Sequence, residues 1–203
     1  YYDNILRTNP KARLFNATTS WVRGYKPKEK KFSISTLVGG KVNNAMTGYA
    51  LRHNLWRVKD KITNPIDFYL SGELKWDEVD YTGQKAIEGS IVPLSKTPLF
   101  HSQFHIAIEN ISTKNMFTEK IIDCFQTKTV PIYYGATNIG DYFNEMGILV
   151  AHSLQEIISI CNNLTPETYD RLLPMVEDNY KASHQYCVYD EQVKEAVLKI
   201  INE

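Results

Sequence analysis

An α/β chain with a parallel sheet covered by helices on both faces is predicted by two observations. Apolar stretches with strand period alternate with stretches of helical period along most of the 203 residues. The segment FHIAIENISTKNMFTEKIIDCFQTKTVPIYYG, from Phe104 to Gly135, also reads as one complete strand–helix–strand unit. Such alternation favours a doubly covered, Rossmann-like sheet over a sandwich or a bundle, and no internal repeat or low-complexity tract argues otherwise.

Residues 1–31 place Leu14, Phe15, Trp21 and Val22 before the charged turn Lys26-Pro27-Lys28-Glu29-Lys30-Lys31, a composition expected of a linker or the remnant of a preceding domain. Residues 32–203 are expected to form the Rossmann-like domain. Phe32 to Val38 is strand-like and is broken by Gly39 and Gly40. Leu51, Leu55, Val58 and Ile62 then form a helical stripe ahead of a buried strand over Ile66 to Leu70. The polar segment from Gly72 to Thr97 is expected to loop, with at most one short helix.

In the central unit, Phe104, Ile106 and Ile108 alternate with His105 and Ala107 as in a strand, which ends at the polar pair Glu109 and Asn110. Thr118 is expected to cap a helix whose inward stripe is Ile121, Ile122 and Phe125. Val130 to Tyr134 gives the next strand, with Tyr133 and Tyr134 expected in the core and Gly135 at a tight turn. A helical turn follows over 137–143 and a strand over 147–150. A periodic helix carries Leu154, Ile157, Ile158, Cys161 and Leu164, and two more helices lie near 167–179 and 191–201.

Lys plus Arg and Asp plus Glu balance at 23 each, which leaves no long-range attraction for nucleic acid or an anionic membrane, so any anion site must be local. Cys124, Cys161 and Cys187 are odd in number and far apart, which argues against a disulfide framework or a zinc site and for a reducing, cytoplasmic setting. No apolar run reaches the roughly 18 residues of a membrane span, and the N-terminus has no signal-peptide pattern. The five histidines show no metal spacing. The chain opens at Tyr1 in mid-pattern, so a preceding segment is expected.

Within a strand–helix–strand unit, the carboxyl end of the first strand and the amino end of the helix border the crevice where phosphorylated ligands bind. Glu119 and Lys120 lie there. Glu119 suits the helix dipole, whereas Lys120 puts a positive charge at the positive end, an arrangement costing a few tenths of a kcal/mol, roughly, that an anion would reverse. Lys41, after Gly39 and Gly40, could bring an ammonium and backbone donors to a phosphate, but a lone Gly-Gly-Lys is a weak signal and a plain β-turn is the first expectation there.

The spacing Glu109, Asn110, eight residues, Glu119, Lys120, then Val130, Pro131 and Gly135 resembles the donor motif of the α-1,3-fucosyltransferases of glycosyltransferase family 10, closest in pattern to bacterial and phage-like members. The upstream stretch LVGGKVNNAMTGYALRHNLWRVKDKI looks like the same family's strand, loop and helix carrying a diphosphate-binding arginine, here Arg52.

The resemblance implies the C-terminal, donor-binding domain of a two-domain GT-B enzyme. It implies that Arg52 and Lys120 meet the diphosphate of GDP-fucose and that Glu119 accepts hydrogen bonds from ribose or sugar hydroxyls. Glu109 and Asn110 would shape the loop or touch the nucleotide. No metal or other cofactor is implied. The partners implied are a nucleotide sugar and a glycan acceptor, and the acceptor base would lie on an N-terminal domain that this chain lacks. The family carries an aromatic, often Tyr, where this chain has Met116. That departure keeps open a relative using another nucleotide sugar, and the absent base keeps open a non-catalytic nucleotide-sugar or glycan-binding module.

Overall fold

The computed structural model describes residues 6–27, 29–39, 47–71, 85–86 and 96–202. The strands are β1 (Lys31–Gly39), β2 (Ile66–Ser71), β3 (Lys85–Ala86), β4 (Ser102–Ile108), β5 (Val130–Tyr134) and β6 (Leu149–Val150). The helices are α1 (Thr47–Arg57), α2 (Glu119–Gln126), α3 (Leu154–Asn163), α4 (Pro166–Ser183) and α5 (Tyr189–Asn202). The six strands form one sheet in the order β3-β2-β1-β4-β5-β6, and every pairing is parallel. The expected Rossmann-like architecture is therefore present. Of the 72–97 segment expected to loop, the described part includes β3, which extends the sheet beside β2.

Register places Ile34 of β1 beside Phe104 of β4 and Phe104 beside Val130 of β5, so one face of the sheet is continuously apolar. That face is covered by Leu55 and Trp56 from α1, Ile157 and Cys161 from α3, and Tyr169, Leu172 and Val176 from α4. On the opposite face Ala107 and Tyr133 meet Ile121, Ile122 and Phe125 from α2, with Phe117 and Phe143 alongside. Ile34, Phe104, Ile121, Ile122 and Phe125 have no exposed surface, and burial of each such side chain contributes about 1.5–3 kcal/mol. Helices thus cover both faces because the strands are apolar on both.

The strand order fixes where a ligand crevice can form. The chain leaves β1 through α1 toward β2 on one side and leaves β4 through α2 toward β5 on the other, so the topological switch lies between β1 and β4, at their carboxyl ends. Glu109 and Asn110 follow β4 directly at that point.

Residues 18–22 are fastened to the helices. Thr18 N donates to Gln192 Oε1 at 3.1 Å and Gln192 Nε2 returns a bond to Thr18 O at 2.9 Å, while Trp21 N and Ser20 Oγ donate to Asp123 Oδ1 at 2.8 and 2.9 Å. His105, buried against Phe100, bonds Ser35 Oγ through Nδ1 at 2.8 Å. Burial and the nearby Lys96 and Lys30 push it down to about 3, so it is a neutral core histidine. Cys124, Cys161 and Cys187 are free and buried. Among the described residues no helix is long and apolar enough to cross a membrane.

At the amino ends of β1, β4 and β5, the Lys30 ammonium donates to Phe100 O at 2.8 Å, Ser102 O at 3.2 Å and Thr129 Oγ1 at 2.5 Å. Burial lowers its pKa from 10.5 to about 7 despite an opposing effect of Cys124. The unfolded chain therefore holds the extra proton between these values, so the stabilising contribution is full above about 10.5 and is lost as the pH falls through about 7. Chemical denaturation of the wild type and Lys30→Met between pH 7 and pH 10 is expected to show wild-type stability rising by up to about 1.4 kcal/mol per pH unit relative to the variant.

Candidate functional site

The site is built on one buried carboxylate. Glu109 has no exposed surface, and its backbone N–H continues the sheet by donating to Tyr134 O at 2.8 Å. Its Oε1 accepts from Thr118 N at 2.8 Å and its Oε2 from Thr118 Oγ1 at 2.7 Å. Thr118 is the expected cap of α2, its hydroxyl oxygen accepting from Lys120 N at 3.5 Å. Glu109 thereby ties the end of β4 to the first turn of α2. Burial pushes its carboxyl up from the usual range, a shift opposed by Lys120 and by the Thr118 donors.

Two glycines allow this approach. A Cβ on Gly48, in the first turn of α1, would stand 1.7 Å from Glu109 O, and Gly48 N donates to Asn110 O at 2.9 Å. A Cβ on Gly135 would stand 2.6 Å from Glu109 Cγ and 2.2 Å from the Tyr133 hydroxyl oxygen. Gly135 is thus required by close packing around Glu109; among the described glycines the positive φ belongs to Gly24 instead.

Lys120 is about a quarter exposed, and its Nζ lies 3.0 Å from Thr118 Oγ1, 3.2 Å from Glu119 Oε1 and 3.5 Å from Glu109 Oε2. The charge expected to sit uncompensated at the positive end of the helix is flanked by two carboxylates, so helix-dipole repulsion alone does not require a bound anion. Glu119 also meets Lys96 Nζ at 3.4 Å. Burial would raise the Glu119 carboxyl, but Lys120, Lys96 and the hydrogen bonds from Thr118 and Lys120 outweigh it and hold it at about 2. Lys96 also reaches Asp123 Oδ2 at 3.4 Å.

Arg52 approaches the same strand end from the α1 side and is almost fully buried. Its Nε and Nη2 donate to Ile108 O at 3.1 and 2.7 Å, Nη2 also donates to Asn110 Oδ1 at 2.7 Å, and the guanidinium lies 5.0 Å from the Tyr49 ring centroid. Burial lowers its pKa, against the raising effects of Glu109, Tyr49 and Glu119. The half-buried Asn110 is therefore held by Arg52 through its side chain and by Gly48 through its carbonyl. The fold brings Arg52, Glu109, Asn110, Glu119 and Lys120 together at the carboxyl end of β4 and the start of α2; Lys41 lies outside the described residues.

The loop from Asn110 to Thr118 is tethered by Ser112 Oγ to Gly135 O at 2.8 Å. Asn115, at φ 61°, donates its N–H to Asn138 Oδ1 and accepts from Asn138 Nδ2 and the Tyr142 hydroxyl. Phe117 beside Met116 is buried against Tyr142, Phe143 and Tyr186, so this aromatic belongs to the core. Two polar groups escaped sequence reasoning. Lys96 stands alone in a polar stretch 23 residues before its partner Glu119. Tyr134, expected in the core, is half-buried and its hydroxyl meets Thr47 Oγ1 at 3.0 Å, joining the end of β5 to the start of α1. Among the described residues no cluster of His, Cys, Asp or Glu could hold a metal ion.

No protein-family model matches the chain, and no curated protein matches it significantly in sequence. Solved structures do match. A crystal structure of an α1,3-fucosyltransferase superposes with a TM-score of 0.53 and 18% identity over 86% of this chain and 45% of that one. An α1,3-fucosyltransferase with GDP-fucose gives 0.53 and 19% over 85% and 47%, and one with GDP gives 0.52 and 16% over 86% and 46%. These likenesses establish a shared fold. The chain spans less than half the length of the structures it matches.

Urea denaturation is expected to show Glu109→Ala destabilised by about 3 kcal/mol, because the change opens a cavity and strands the Thr118 donors. Acid sensitivity should isolate Glu119. Its folded-state pKa, about 2, lies below the ordinary 4.5, so its stabilising contribution is full above about 4.5 and is lost as the pH falls toward about 2. Glu119→Gln is expected to lose less stability than the wild type between pH 5 and pH 2.5, by about 1–3 kcal/mol.

Proposed function

We propose that this chain is the donor-binding half of an inverting glycosyltransferase that transfers fucose from GDP-fucose to a hydroxyl of a glycan acceptor. The observation that carries this reading is the Lys120 ammonium, fixed at the amino end of α2 by Thr118 and Glu109 and adjoining the β1–β4 switch point of the sheet. A partly exposed cation beside a helix amino terminus in that crevice suits a diphosphate. The resemblance of the Glu109-to-Gly135 spacing to the fucosyltransferase donor motif, together with the fold shared with α1,3-fucosyltransferases, directs the reading to GDP-fucose.

In the proposed reaction the acceptor oxygen attacks the anomeric carbon as the bond to the diphosphate oxygen breaks, converting a β linkage to an α linkage. Negative charge develops on the departing GDP. Lys120 exchanges part of its contact with Glu109, Glu119 and Thr118 for diphosphate oxygens, and preorganised donors of this kind are worth about 10²–10³ in rate. Arg52 holds Asn110 and the end of β4, and it reaches the diphosphate if its guanidinium turns from Ile108 O. Glu119 accepts from ribose or sugar hydroxyls as Lys120 turns to phosphate. The acceptor hydroxyl's proton passes to a base outside this chain, on an acceptor domain. A metal is unnecessary to the reading because the cations are side chains.

Isothermal titration with GDP, GDP-fucose and GDP-mannose tests the reading. Micromolar GDP binding is expected, weakened about 10- to 100-fold in Lys120→Ala, with GDP-fucose bound more tightly than GDP-mannose. Equal binding of the two sugars would move the reading to a relative with another donor, a prospect favoured by Met116 standing where the family has an aromatic. Failure of the folded chain to bind any of the three would overturn the donor-site reading.

A further inference from the structure

Trp21 combines features that do not belong to a loose surface residue. The residue is 50% exposed, yet its backbone is pinned. Trp21 N donates to Asp123 Oδ1 at 2.8 Å, Ser20 Oγ donates to the same oxygen at 2.9 Å, and the neighbouring Val22 is buried in the α2-side core. The side chain of Asp123 is itself 1% exposed. The backbone of the segment is therefore fixed on α2 while the residue keeps exposed surface.

Beside that ring lies Lys96. Its Nζ is 5.5 Å from the Trp21 ring centroid, 3.4 Å from Asp123 Oδ2 and 3.4 Å from Glu119 Oε1. Glu119 in turn contacts Lys120 Nζ at 3.2 Å. A continuous polar path thus runs along α2 from the cation at its amino end, through Glu119 and Lys96, to the Trp21 indole. An indole beside a fixed ammonium suits a planar partner with polar edges.

We propose that Trp21 and Lys96 form a shelf for the base of the nucleotide whose diphosphate binds at Lys120. The inference rests on the donor-site reading above and adds to it the ligand's other end. A planar base has a π-face that stacks on indole, and the adjacent ammonium stays close enough to serve base or ribose acceptors. Asp123 is a positioning residue for this shelf: it fixes the backbone of Trp21 and one side of Lys96 without touching the ligand.

The test is titration of the full chain with GDP and, separately, with inorganic pyrophosphate, in the wild type, Trp21→Ala, Trp21→Phe and Lys120→Ala, with thermal unfolding recorded for each. Trp21→Ala is expected to weaken GDP about tenfold or more while leaving pyrophosphate unchanged. Trp21→Phe, which keeps an aromatic face, should stay within about threefold of the wild type for GDP, and a GDP-induced change in tryptophan fluorescence should vanish in that variant. GDP binding by a folded Trp21→Ala at wild-type strength, with Lys120→Ala still impaired, would overturn the shelf and leave the donor site standing. Equal losses of GDP and pyrophosphate in Trp21→Ala would also overturn it, since the indole would then act through α2. Absence of GDP binding in the wild type would remove both proposals.

Discussion

The buried carboxylate of Glu109 is the constraint on which the rest of this molecule's crevice depends. A carboxylate taken out of water must be satisfied by donors, and here both of its oxygens are satisfied by Thr118, the cap of α2. The consequence is geometric. The end of β4 and the start of α2 become one unit; Gly48 is confined to hydrogen as a side chain by the Glu109 backbone, and Gly135 by the Tyr133 phenol together with the Glu109 methylene. α1 through Gly48, the turn after β5 through Gly135 and the Lys120 ammonium all meet Glu109.

Charge at the crevice is distributed as an interlocked set. Lys120 is shared among Thr118, Glu119 and Glu109, Glu119 between Lys120 and Lys96, and Lys96 between Glu119 and Asp123. On the other side of β4, Arg52 is committed to the Ile108 carbonyl and Asn110. The two cations that the family resemblance assigns to one diphosphate thus occupy different settings. Lys120 is partly exposed and held at distances of 3.0–3.5 Å, whereas Arg52 is buried and bonded to the backbone at 2.7 Å. Lys120 can exchange partners without breaking a backbone bond; Arg52 must give up a buried one, which makes it foremost a brace of the strand end.

Elements governed by local patterns were legible in the sequence. The alternation of Phe104, Ile106 and Ile108, the Thr118 cap and the Ile121, Ile122 and Phe125 stripe each depend on neighbours a few residues away, and each stands in the structure where periodicity places it. Contacts that exist only once the sheet has assembled were not legible. The bond of Glu109 to Thr118 joins residues nine positions apart, Lys96 meets Glu119 across the turn and strand of β4, and Tyr134 meets Thr47 at a separation of 87. The lysine at the helix start was visible as a charge, but the carboxylates that neutralise it were not assignable, so its meaning changed from an uncompensated cation to the hub of a network. β3 escaped for the same reason, its pairing with β2 being tertiary.

The central claim is that the amino end of α2 beside the carboxyl end of β4 receives a diphosphate. A crystal structure of the chain with GDP tests it most directly. The account predicts the β-phosphate within hydrogen-bond distance of Lys120 Nζ, with Glu109 still bonded to Thr118 and Glu119 turned toward the ribose. Diphosphate density at any other edge of the sheet, with Lys120 remaining on Glu109 and Glu119, would contradict it.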